Sequence, residues 1–340
     1  MLIRPVRSTD LESLMALAKM AGHGLTSLPV DEQRLRDRIY WAEKTFSGDV
    51  KVADADYFFV LEDEFEEVVG ITAIMGAVGL KEPWYNYRLG STLSSAPGLD
   101  NNHLMPALHV SNDLTGLSEL CSLFLRADRR KGVMGRLLSK SRFLFVAEFQ
   151  ELFSKTLIAE MRGVSDEQGI SPFWQSLGQF VYKMDFTQAD HLCGIGQKEF
   201  LAQLMPAFPI YTHLLSDTAQ QTIGKAHVKT VPAMKLLEEE GMSYQQYVDI
   251  FDAGPVVLGE VRNMRAVRDS AIVSLHTTVL DDDAEWFLLH NRSCKDCRIT
   301  AALAKLVGET LWVDKATIEK LNLNEGDAAR AVALFIPVLK

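Results

Sequence analysis

A basic, glycine-containing segment at residues 126–135 is the part of this sequence that most clearly indicates a chemical function. It follows an apolar, strand-like run at 118–125 and opens directly into a stretch with helical periodicity at 136–146. Backbone N–H groups in the first turn of a helix have no intrahelical partner, and the helix dipole favours an anion in front of them. The segment therefore predicts a phosphate-binding turn. The alternative is a plain strand–turn–helix connection whose arginines are merely solvated.

The distribution of charge favours a small phosphorylated ligand at this turn. Arg129, Arg130 and Lys131 place positive charge beside it, whereas the whole chain has a formal net charge of −10. A nucleic-acid-binding protein needs a basic face to neutralise phosphates, and an acidic chain argues against that function. We therefore expect no nucleic-acid partner.

The cysteines indicate neither a disulfide scaffold nor a metal centre. Four cysteines in 340 residues are too few for such a scaffold. Cys294 and Cys297 have the spacing of half a zinc site, with His290 nearby, but the sequence contains no second cysteine pair of that spacing. We expect a reduced loop there with no metal, and a reduced, buried thiol at Cys121 within the apolar strand.

The elements that must position the turn follow from the hydrophobic pattern. Before the turn, the pattern predicts strands and helices in a mixed order; they are a strand at 3–6, helices at 11–18 and 31–46, strands at 57–61 and 68–75, and an extended segment from 84 to 87. After the turn, the pattern predicts a helix to about 149, strands at 156–162, 180–186 and 247–251, a short helix at 171–177, and a mostly helical region at 198–237.

This order predicts an α/β fold built around a mainly antiparallel central sheet, because the regular βαβ alternation of a doubly wound fold is missing. Beyond about residue 261 the hydrophobic pattern changes and predicts short strands around a small helix near 316–321. We expect three units. They are a core at 1–190 that contains the phosphate-binding turn, a helical and strand extension at 191–260, and a small β-rich C-terminal unit at 261–340.

Composition predicts a folded cytoplasmic enzyme. Hydrophobic residues make up 47% of the chain and charged residues 24%, as in ordinary globular proteins. The first residues lack the apolar core of a signal peptide, and no run approaches the ~18 apolar residues of a membrane span. We therefore expect neither export nor a membrane partner.

Several segments together resemble a known enzyme family. The turn and the strand before it are similar to those of the GNAT superfamily of acyl-CoA-dependent N-acyltransferases, in which a bulged strand and a glycine-containing turn hold the coenzyme pyrophosphate. A closer resemblance is to the arginine N-succinyltransferase family. It covers residues 2 to about 255 and rests on the segments 24–29, 83–88, 114–116, 118–121, 137–143, 160–163, 171–175, 209–211 and 247–252.

One departure from the superfamily pattern concerns the turn itself. Counting from Arg130, the position of the first glycine is occupied by Val133, and Gly132 stands one place early. Gly135 keeps its place. The C-terminal region resembles the family much less, and no functional residue is assigned there.

The resemblance implies transfer of a succinyl group from succinyl-CoA to the α-amino group of L-arginine, giving N2-succinyl-L-arginine and CoA in arginine catabolism. It implies no tightly bound cofactor. It places a coenzyme-binding strand residue at Leu123, whose backbone could pair with the pantetheine amide as a further strand would. The same site should include Leu125, Arg130, Lys131, Gly132 and Gly135.

The resemblance also implies a proton-donating histidine at His227, and proton transfer of this kind typically contributes about 10²–10⁴-fold to a rate. Glu119 and Glu160 are candidates for the base that deprotonates the amine. Direct attack on the thioester is the simpler scheme, because Cys121 is expected to be buried without an adjacent histidine. The carboxylate for the arginine guanidinium stays open among Asp113, Asp166 and Glu167.

Two other functions stay open at this point. The acceptor or donor could be a different amine or acyl-CoA, such as ornithine or acetyl-CoA, or the chain could be a noncatalytic CoA-binding module. We also expect a homo-oligomer, with the C-terminal unit as a possible dimerisation or regulatory piece.

Overall fold

The computed structural model of the chain describes residues 1–21, 25, 27–95, 102–166, 169–194, 203–204 and 206–336. The strands are β1 (Leu2–Pro5), β2 (Asp56–Glu62), β3 (Val68–Met75), β4 (Asn86–Ser95), β5 (Asn102–Ser111), β6 (Ser118–Leu125), β7 (Thr156–Glu160), β8 (Ile210–Tyr211), β9 (Ser243–Asp249), β10 (Pro255–Glu260), β11 (Ala271–Thr277), β12 (Glu285–His290), β13 (Ile299–Val307), β14 (Thr310–Val313) and β15 (Ala328–Ala333). The helices are α1 (Leu11–Ala21), α2 (Glu32–Phe46), α3 (Met134–Glu148), α4 (Gln179–Tyr182), α5 (Phe186–Gly194), α6 (Asp217–Thr222), α7 (Val231–Glu239), α8 (Arg265–Asp269) and α9 (Lys315–Leu321).

One continuous sheet joins these strands in the order β12-β15-β11-β14-β13-β1-β2-β3-β6-β7-β10-β9-β4-β5-β8. Only the β6–β7 and β11–β14 pairs are parallel among the described strands. The mainly antiparallel sheet expected from the sequence is therefore present, and helices pack on its two faces.

The core lies on both faces of β2 and β3, which are buried along most of their length. Helices α1 and α2 pack on one face through Leu14, Leu17, Leu35 and Ile39, and α3 packs on the other through a larger apolar cluster. Because α3 is covered by the sheet and by later elements, nearly all of its residues are buried, including polar ones.

Strand β6 carries a bulge and then separates from its neighbour β7. Opposite β3, the register shifts between the pairs Ile71–Phe124 and Ala73–Cys121, and Ser122 adopts a left-handed φ of 54°. Strand β6 pairs with β7 only at Ser118–Leu157 and Glu119–Ile158. The rest of β6 is left without a partner on that side, which opens a wedge in the middle of the sheet.

The C-terminal strands extend the same sheet through β13, which pairs with β1 at Ile299 and Ile3. The Thr300 hydroxyl also donates a hydrogen bond to the Met1 carbonyl over 2.8 Å. These strands enclose their own apolar cluster with α9. The β-rich C-terminal region expected from the sequence is thus continuous with the central sheet.

The predicted strand at 180–186 is wrong, because this segment contains the end of one helix, a left-handed residue at Lys183 and the start of the next helix. A π-helical turn at Trp174–Gly178 leads into α4, and α5 begins at Phe186. Trp174 stacks on Tyr182 with ring centroids 5.4 Å apart, and its indole N–H donates to the Met184 carbonyl. Tyr182 and Phe186, two of the aromatic residues that suggested a strand, therefore pack against this tryptophan, whereas Phe180 is exposed.

Several strands were not predicted from the sequence, among them β10, β13, β14 and most of the β4–β5 hairpin. The β4–β5 hairpin pairs over the full length of both strands, and β10 runs beside β7 after a turn at residues 250–254. The helical region expected at 198–237 contains α6 and α7 together with the short strand β8. Part of that region lies outside the described residues.

Candidate active site

The predicted phosphate turn forms the connection from β6 to α3. A single 3-10 turn at Ala127–Arg129 follows β6, Gly132 has a left-handed φ of 60°, and α3 begins at Met134. No side chain caps the start of α3, since Val133 makes no capping hydrogen bond. A Cβ added at Gly135 would meet no atom within 4 Å, so the space above the first turn is open. The first-turn N–H groups therefore face an open space suited to an anion.

The cations near the turn have different surroundings. Arg129 is held by the buried carboxylate of Asp63 over 2.8 Å. Arg130 donates from Nε to the Leu125 carbonyl over 3.0 Å, which fixes the turn to the end of β6. Arg130 and Lys131 line the open space, and Arg129 does not. Two of the three predicted cations are thus placed to meet an anion.

A cleft of about 1590 Å³ runs from this turn along the wedge between β6 and β7. The side chains and backbone of β6 form one wall, and α3 lies at the base. All the predicted coenzyme-binding residues line the cleft, namely Leu123, Leu125, Arg130, Lys131, Gly132 and Gly135.

Leu123 lies at the β6 bulge. Its side chain is half-buried against the main apolar cluster, so it is a core leucine as well as a lining residue. The bulge interrupts pairing with β3, and β7 has already separated at this level. The backbone of β6 here is a strand edge that an extended amide-containing ligand could pair with.

The other end of the cleft is acidic. Glu119, Glu160, Asp249 and Asp252 come from β6, β7, β9 and the turn before β10, and all four line the cleft. The Asn86 side-chain amide donates to Glu160 over 2.6 Å. Asp252 accepts from the backbone N–H groups of residues 163 and 254, at 2.7 and 2.9 Å.

The states of these carboxyl groups follow from burial and mutual repulsion. Burial raises the pKa of Glu160 well above its ordinary value, and the charges of Asp249 and Glu119 raise it further. Burial and the neighbouring Asp249 raise the pKa of Asp252 to about 8. Such groups hold protons near neutral pH and release them when a cation arrives.

Asp249 and Asp252 were missed as site residues at the sequence level. They lie in the segment 247–252 that carried part of the family resemblance, but nothing in that segment gives them a role. The Asp249 carboxylate accepts from the backbone N–H groups of Phe251 and Asp252, and so shapes the turn. Antiparallel pairing of β10 with β7 then brings this turn beside Glu160.

His227 lies on a loop attached to the end of β7. Its backbone N–H donates to the Arg162 carbonyl over 2.8 Å, and its Nδ1 accepts from the Lys229 N–H over 3.1 Å. Burial, followed by the charges of Arg162 and Lys229, lowers the pKa of His227. The ring is therefore neutral near pH 7 with its proton on Nε2, because Nδ1 is the acceptor. His227 itself does not line the cleft, whereas Arg162, Lys229 and Thr230 do.

Two of the three carboxylates considered for binding the arginine guanidinium, Asp113 and Asp166, do not line the cleft. Asp113 accepts from the Tyr247 hydroxyl over 2.9 Å and faces Arg88, away from the cleft. Asp166 accepts from the Ile170 N–H within its own loop and does not line the cleft. Glu167 lies outside the described residues.

The described cysteines are free thiols in settings that suppress their reactivity. Burial raises the pKa of Cys121 to about 12, and burial raises that of Cys294 to about 11. Cys297 is within 3.3 Å of His290 Nε2 in the core. In the described part of the chain, no group of three or more His, Cys, Asp or Glu side chains could hold a metal ion.

Comparison with known proteins identifies the family. The family model of the arginine N-succinyltransferase beta subunit matches residues 1–266, and the model of its C-terminal domain matches residues 271–333. The chain belongs to the arginine N-succinyltransferase family.

Relatives with this name match the chain over nearly its whole length. It is 55% identical over 334 residues to the arginine N-succinyltransferase subunit beta of Pseudomonas aeruginosa, with 98% of each chain covered. It is 47% identical over 336 residues to the arginine N-succinyltransferase of an Escherichia coli strain, again with 98% of each covered.

The solved structure of the arginine/ornithine succinyltransferase subunit AI from Pseudomonas aeruginosa superposes with a TM-score of 0.90 at 31% identity. The match covers 98% of this chain and 99% of that one. The comparisons confirm the family, the α/β fold and the acyltransferase class that the sequence predicted. None of the helices in the described residues combines the length and apolar character needed to cross a bilayer.

Proposed function

We propose that this arginine N-succinyltransferase family member transfers the succinyl group of succinyl-CoA to the α-amino group of L-arginine, in arginine catabolism. One observation carries the proposal: a single cleft has an open cationic helix start at one end and four carboxyl groups at the other. Coenzyme phosphates suit the first end. L-Arginine has a guanidinium and an α-ammonium group, and both suit the second end.

The reaction needs two proton movements. The α-ammonium of arginine gives one proton to a carboxylate, and the amine nitrogen then attacks the thioester carbon. When the tetrahedral intermediate collapses, the C–S bond breaks and the amide forms. The nitrogen loses its second proton, the coenzyme sulfur gains one proton, and one proton passes to solvent.

Glu160 is the better candidate for the base, with Glu119 as the alternative. Both line the cleft beside the point where β6 and β7 separate. A carboxylate with a raised pKa is a stronger base, and the pKa of Glu160 is raised by burial and by its acidic neighbours. The proton donor to sulfur in this proposal is His227, acting as an imidazolium that takes up a proton released by the amine nitrogen and passes it to sulfur. Its loop reaches the cleft through Lys229 and Thr230.

Most of the rate acceleration should come from holding the two substrates together in the wedge. Neither a metal nor a covalent acyl-enzyme is needed, since a thioester is already an activated acyl group. The raised pKa of Cys121 makes that thiol a poor acyl acceptor.

The test is thiol release from succinyl-CoA with and without L-arginine, with acetyl-CoA and L-ornithine replacing donor and acceptor in turn. We expect fast release only when succinyl-CoA and L-arginine are both present. Release with L-ornithine at comparable kcat/KM would broaden the acceptor class. L-Ornithine is a candidate because the similar solved structure is that of an arginine/ornithine succinyltransferase subunit. Binding of CoA without any amine-dependent release would support the noncatalytic module instead.

A homo-oligomer is proposed on the basis of an exposed apolar pair on the β4–β5 hairpin. Leu93 and Leu104 face each other across the hairpin and are 64% and 68% exposed. Apolar side chains this exposed fit a contact with a second copy. Light scattering on the wild type and on Leu93→Ser/Leu104→Ser should show a change to a smaller species.

The proposed compartment is the cytoplasm. The described cysteines are reduced and do not form disulfides, as is usual there. A formal net charge of −10 also supports the absence of a nucleic-acid partner.

A further inference from the structure

A buried arginine lies at the base of the proposed donor site. Arg142 is on α3, is 1% exposed, and lines the cleft. It therefore faces the wedge between β6 and β7 from below. Neither the family resemblance nor the mechanism above gives it a role.

Arg142 lies beside the path of a ligand that would extend from the turn along β6. It lies eight residues after the start of α3 at Met134, which is roughly 12 Å along a helix. Helix α3 packs back along β6, and four residues of strand from Leu125 to Cys121 span roughly 13 Å. In agreement, a Cβ at Gly70 would contact both Leu125 and Leu138 near the start of α3, whereas Cys121 and Glu119 act electrostatically on Arg142. A ligand bound at the turn and extended roughly 13 Å along β6 thus reaches the level of Arg142.

In the part of the chain that the structure describes, no carboxylate forms a direct ion pair with the guanidinium of Arg142, and Glu119 acts on it only from a longer distance. Its Nε donates to the Ser139 carbonyl over 3.1 Å, and its Nη2 donates to the Ser139 hydroxyl over 3.2 Å. Both contacts lie within its own helix and neutralise no charge. Burial lowers its pKa to about 10.

The other buried cation of α3 provides a contrast. Lys140 is fully buried, and its Nζ contacts Glu239 at 2.8 Å and Glu240 at 3.4 Å. A buried cation without such partners destabilises a fold, because the charge has lost its hydration. A bound anion could supply the missing charge at Arg142.

We propose that Arg142 binds the terminal carboxylate of the succinyl group and so selects succinyl-CoA over acyl-CoA donors with an uncharged chain. The inference rests on the proposed function and adds the residue that recognises its donor. The terminal carboxylate is the group that distinguishes a succinyl from an acetyl or butyryl chain. Arg142 contacts the donor and determines which donor is used, and it takes no part in proton transfer.

The α-carboxylate of L-arginine is the competing anion. The position of the acidic cluster favours the succinyl carboxylate as the ligand of Arg142. In the proposed function, this cluster binds the cationic acceptor at the ends of β7 and β9. Arg142 instead reaches the cleft from α3, the helix whose start faces the coenzyme phosphates. The two ligands are distinguished experimentally by removing one carboxylate at a time.

The experiment compares Arg142→Met with wild type using succinyl-CoA and butyryl-CoA, which has a methyl group in place of the terminal carboxylate. We expect kcat/KM for succinyl-CoA to fall by about 10²-fold or more, as when a buried charge pair loses one partner. The value for butyryl-CoA should stay level or rise. Arg142→Lys keeps the charge and should restore part of the preference for succinyl-CoA.

Arg136→Met is the matched control. Arg136 also lies on α3 and lines the cleft, but near the turn, where Glu239 holds it over 2.6 Å. Arg136→Met should lower kcat/KM for both donors by the same factor and leave the ratio of the two values unchanged. Arg142→Met should retain the wild-type Tm or exceed it, because it removes a buried charge without a counter-ion.

Three results would overturn the proposal. One is equal loss of both donors in Arg142→Met, with a lowered Tm, which would make Arg142 structural. Another is an unchanged donor ratio with lost discrimination between L-arginine and agmatine, its decarboxylated analogue, which would assign Arg142 to the acceptor. The third result concerns binding. If the wild type shows no turnover, the proposed function fails, but the affinities for the two donors measured by calorimetry still test the role of Arg142. Equal loss of affinity for both donors in Arg142→Met would then reject it.

Discussion

Burial sets the protonation of the residues that would move protons in this cleft. His227 has a lowered pKa and keeps Nε2–H as a neutral ring, while Glu160 has a raised pKa and holds a proton without a cation nearby. The two shifts come from the same cause, desolvation of the charged form. The lowered pKa makes the imidazolium of His227 a stronger acid, and the raised pKa makes the carboxylate of Glu160 a stronger base.

Replacement of His227 tests the proton donor. His227→Ala should lower kcat by about 10²–10⁴-fold, because the coenzyme thiolate then leaves without a positioned proton. The affinity for CoA should change little, since His227 does not line the cleft. Steady-state rates and calorimetry on the same variant measure the two effects. An unchanged kcat would contradict the assignment.

The acidic end predicts a pH dependence for the acceptor. Because the pKa of Glu160 and that of Asp252 are raised, both groups are neutral at low pH and become anionic as pH rises. The KM for L-arginine should therefore fall between pH 6 and pH 9, with the guanidinium charged throughout. Glu160→Gln should flatten this trend, and a wild-type KM that rises over the same interval would refute it.

At the scale of elements, the β6–turn–α3 unit is the proposed binding site of the donor, and Gly135 allows effects on binding and on stability to be measured separately. Gly135 lies in the first turn of α3 with open space above it and no left-handed φ. The structure of the protein alone does not require glycine there. A bound phosphate close to the backbone would require it.

Gly135→Ala should therefore stabilise the protein yet weaken coenzyme binding. Alanine in a helix is favoured over glycine by up to about 1 kcal/mol, so Tm should stay level or rise. The added methyl group should raise the Kd for CoA by about tenfold or more, as an overpacked contact does. Thermal unfolding and calorimetry measure both. Unchanged CoA affinity would show that the phosphates lie elsewhere.

The same unit was predictable from sequence, and so were Glu119 and Glu160 as candidate bases, but the meeting of four carboxyl groups at the acidic end was not. The change from strand to helical period at residues 118–146 is local, so β6, the turn and α3 can be identified without knowledge of their neighbours. Glu160, Asp249 and Asp252 come from separate segments and meet only because β10 pairs with both β7 and β9. Arg142 gives no signal in sequence, since a polar residue in a helix is usually exposed.

At the scale of the whole molecule, a single sheet connects the cleft to the C-terminal strands. The division into units at 1–190, 191–260 and 261–340 stays a prediction. Helix α3 contacts the C-terminal strands β12, β13 and β15, and its last residue Glu148 bonds Arg292 and Arg330. Truncation before Val261 would remove these contacts and uncover the edge of β1, so such a variant tests folding as well as assembly.

The contacts of Glu148 should stabilise the junction between α3 and the C-terminal strands. Glu148→Gln should lower the free energy of unfolding by about 1–3 kcal/mol, because the neutral side chain cannot satisfy two guanidinium groups. Urea unfolding should remain a single transition. The control Glu319→Gln breaks the exposed Lys315–Glu319 pair and should cost no more than about 0.5 kcal/mol. Equal effects of the two variants would deny any special role to the junction.

The most direct test of the central claim is mass-spectrometric identification of the product formed from succinyl-CoA and L-arginine. The account predicts arginine carrying one succinyl group on its α-nitrogen, formed in equal amount with CoA and suppressed by His227→Ala and Glu160→Gln. Succinylation of the guanidinium, or release of CoA with free succinate and no succinylarginine, would contradict the proposed placement of the two substrates.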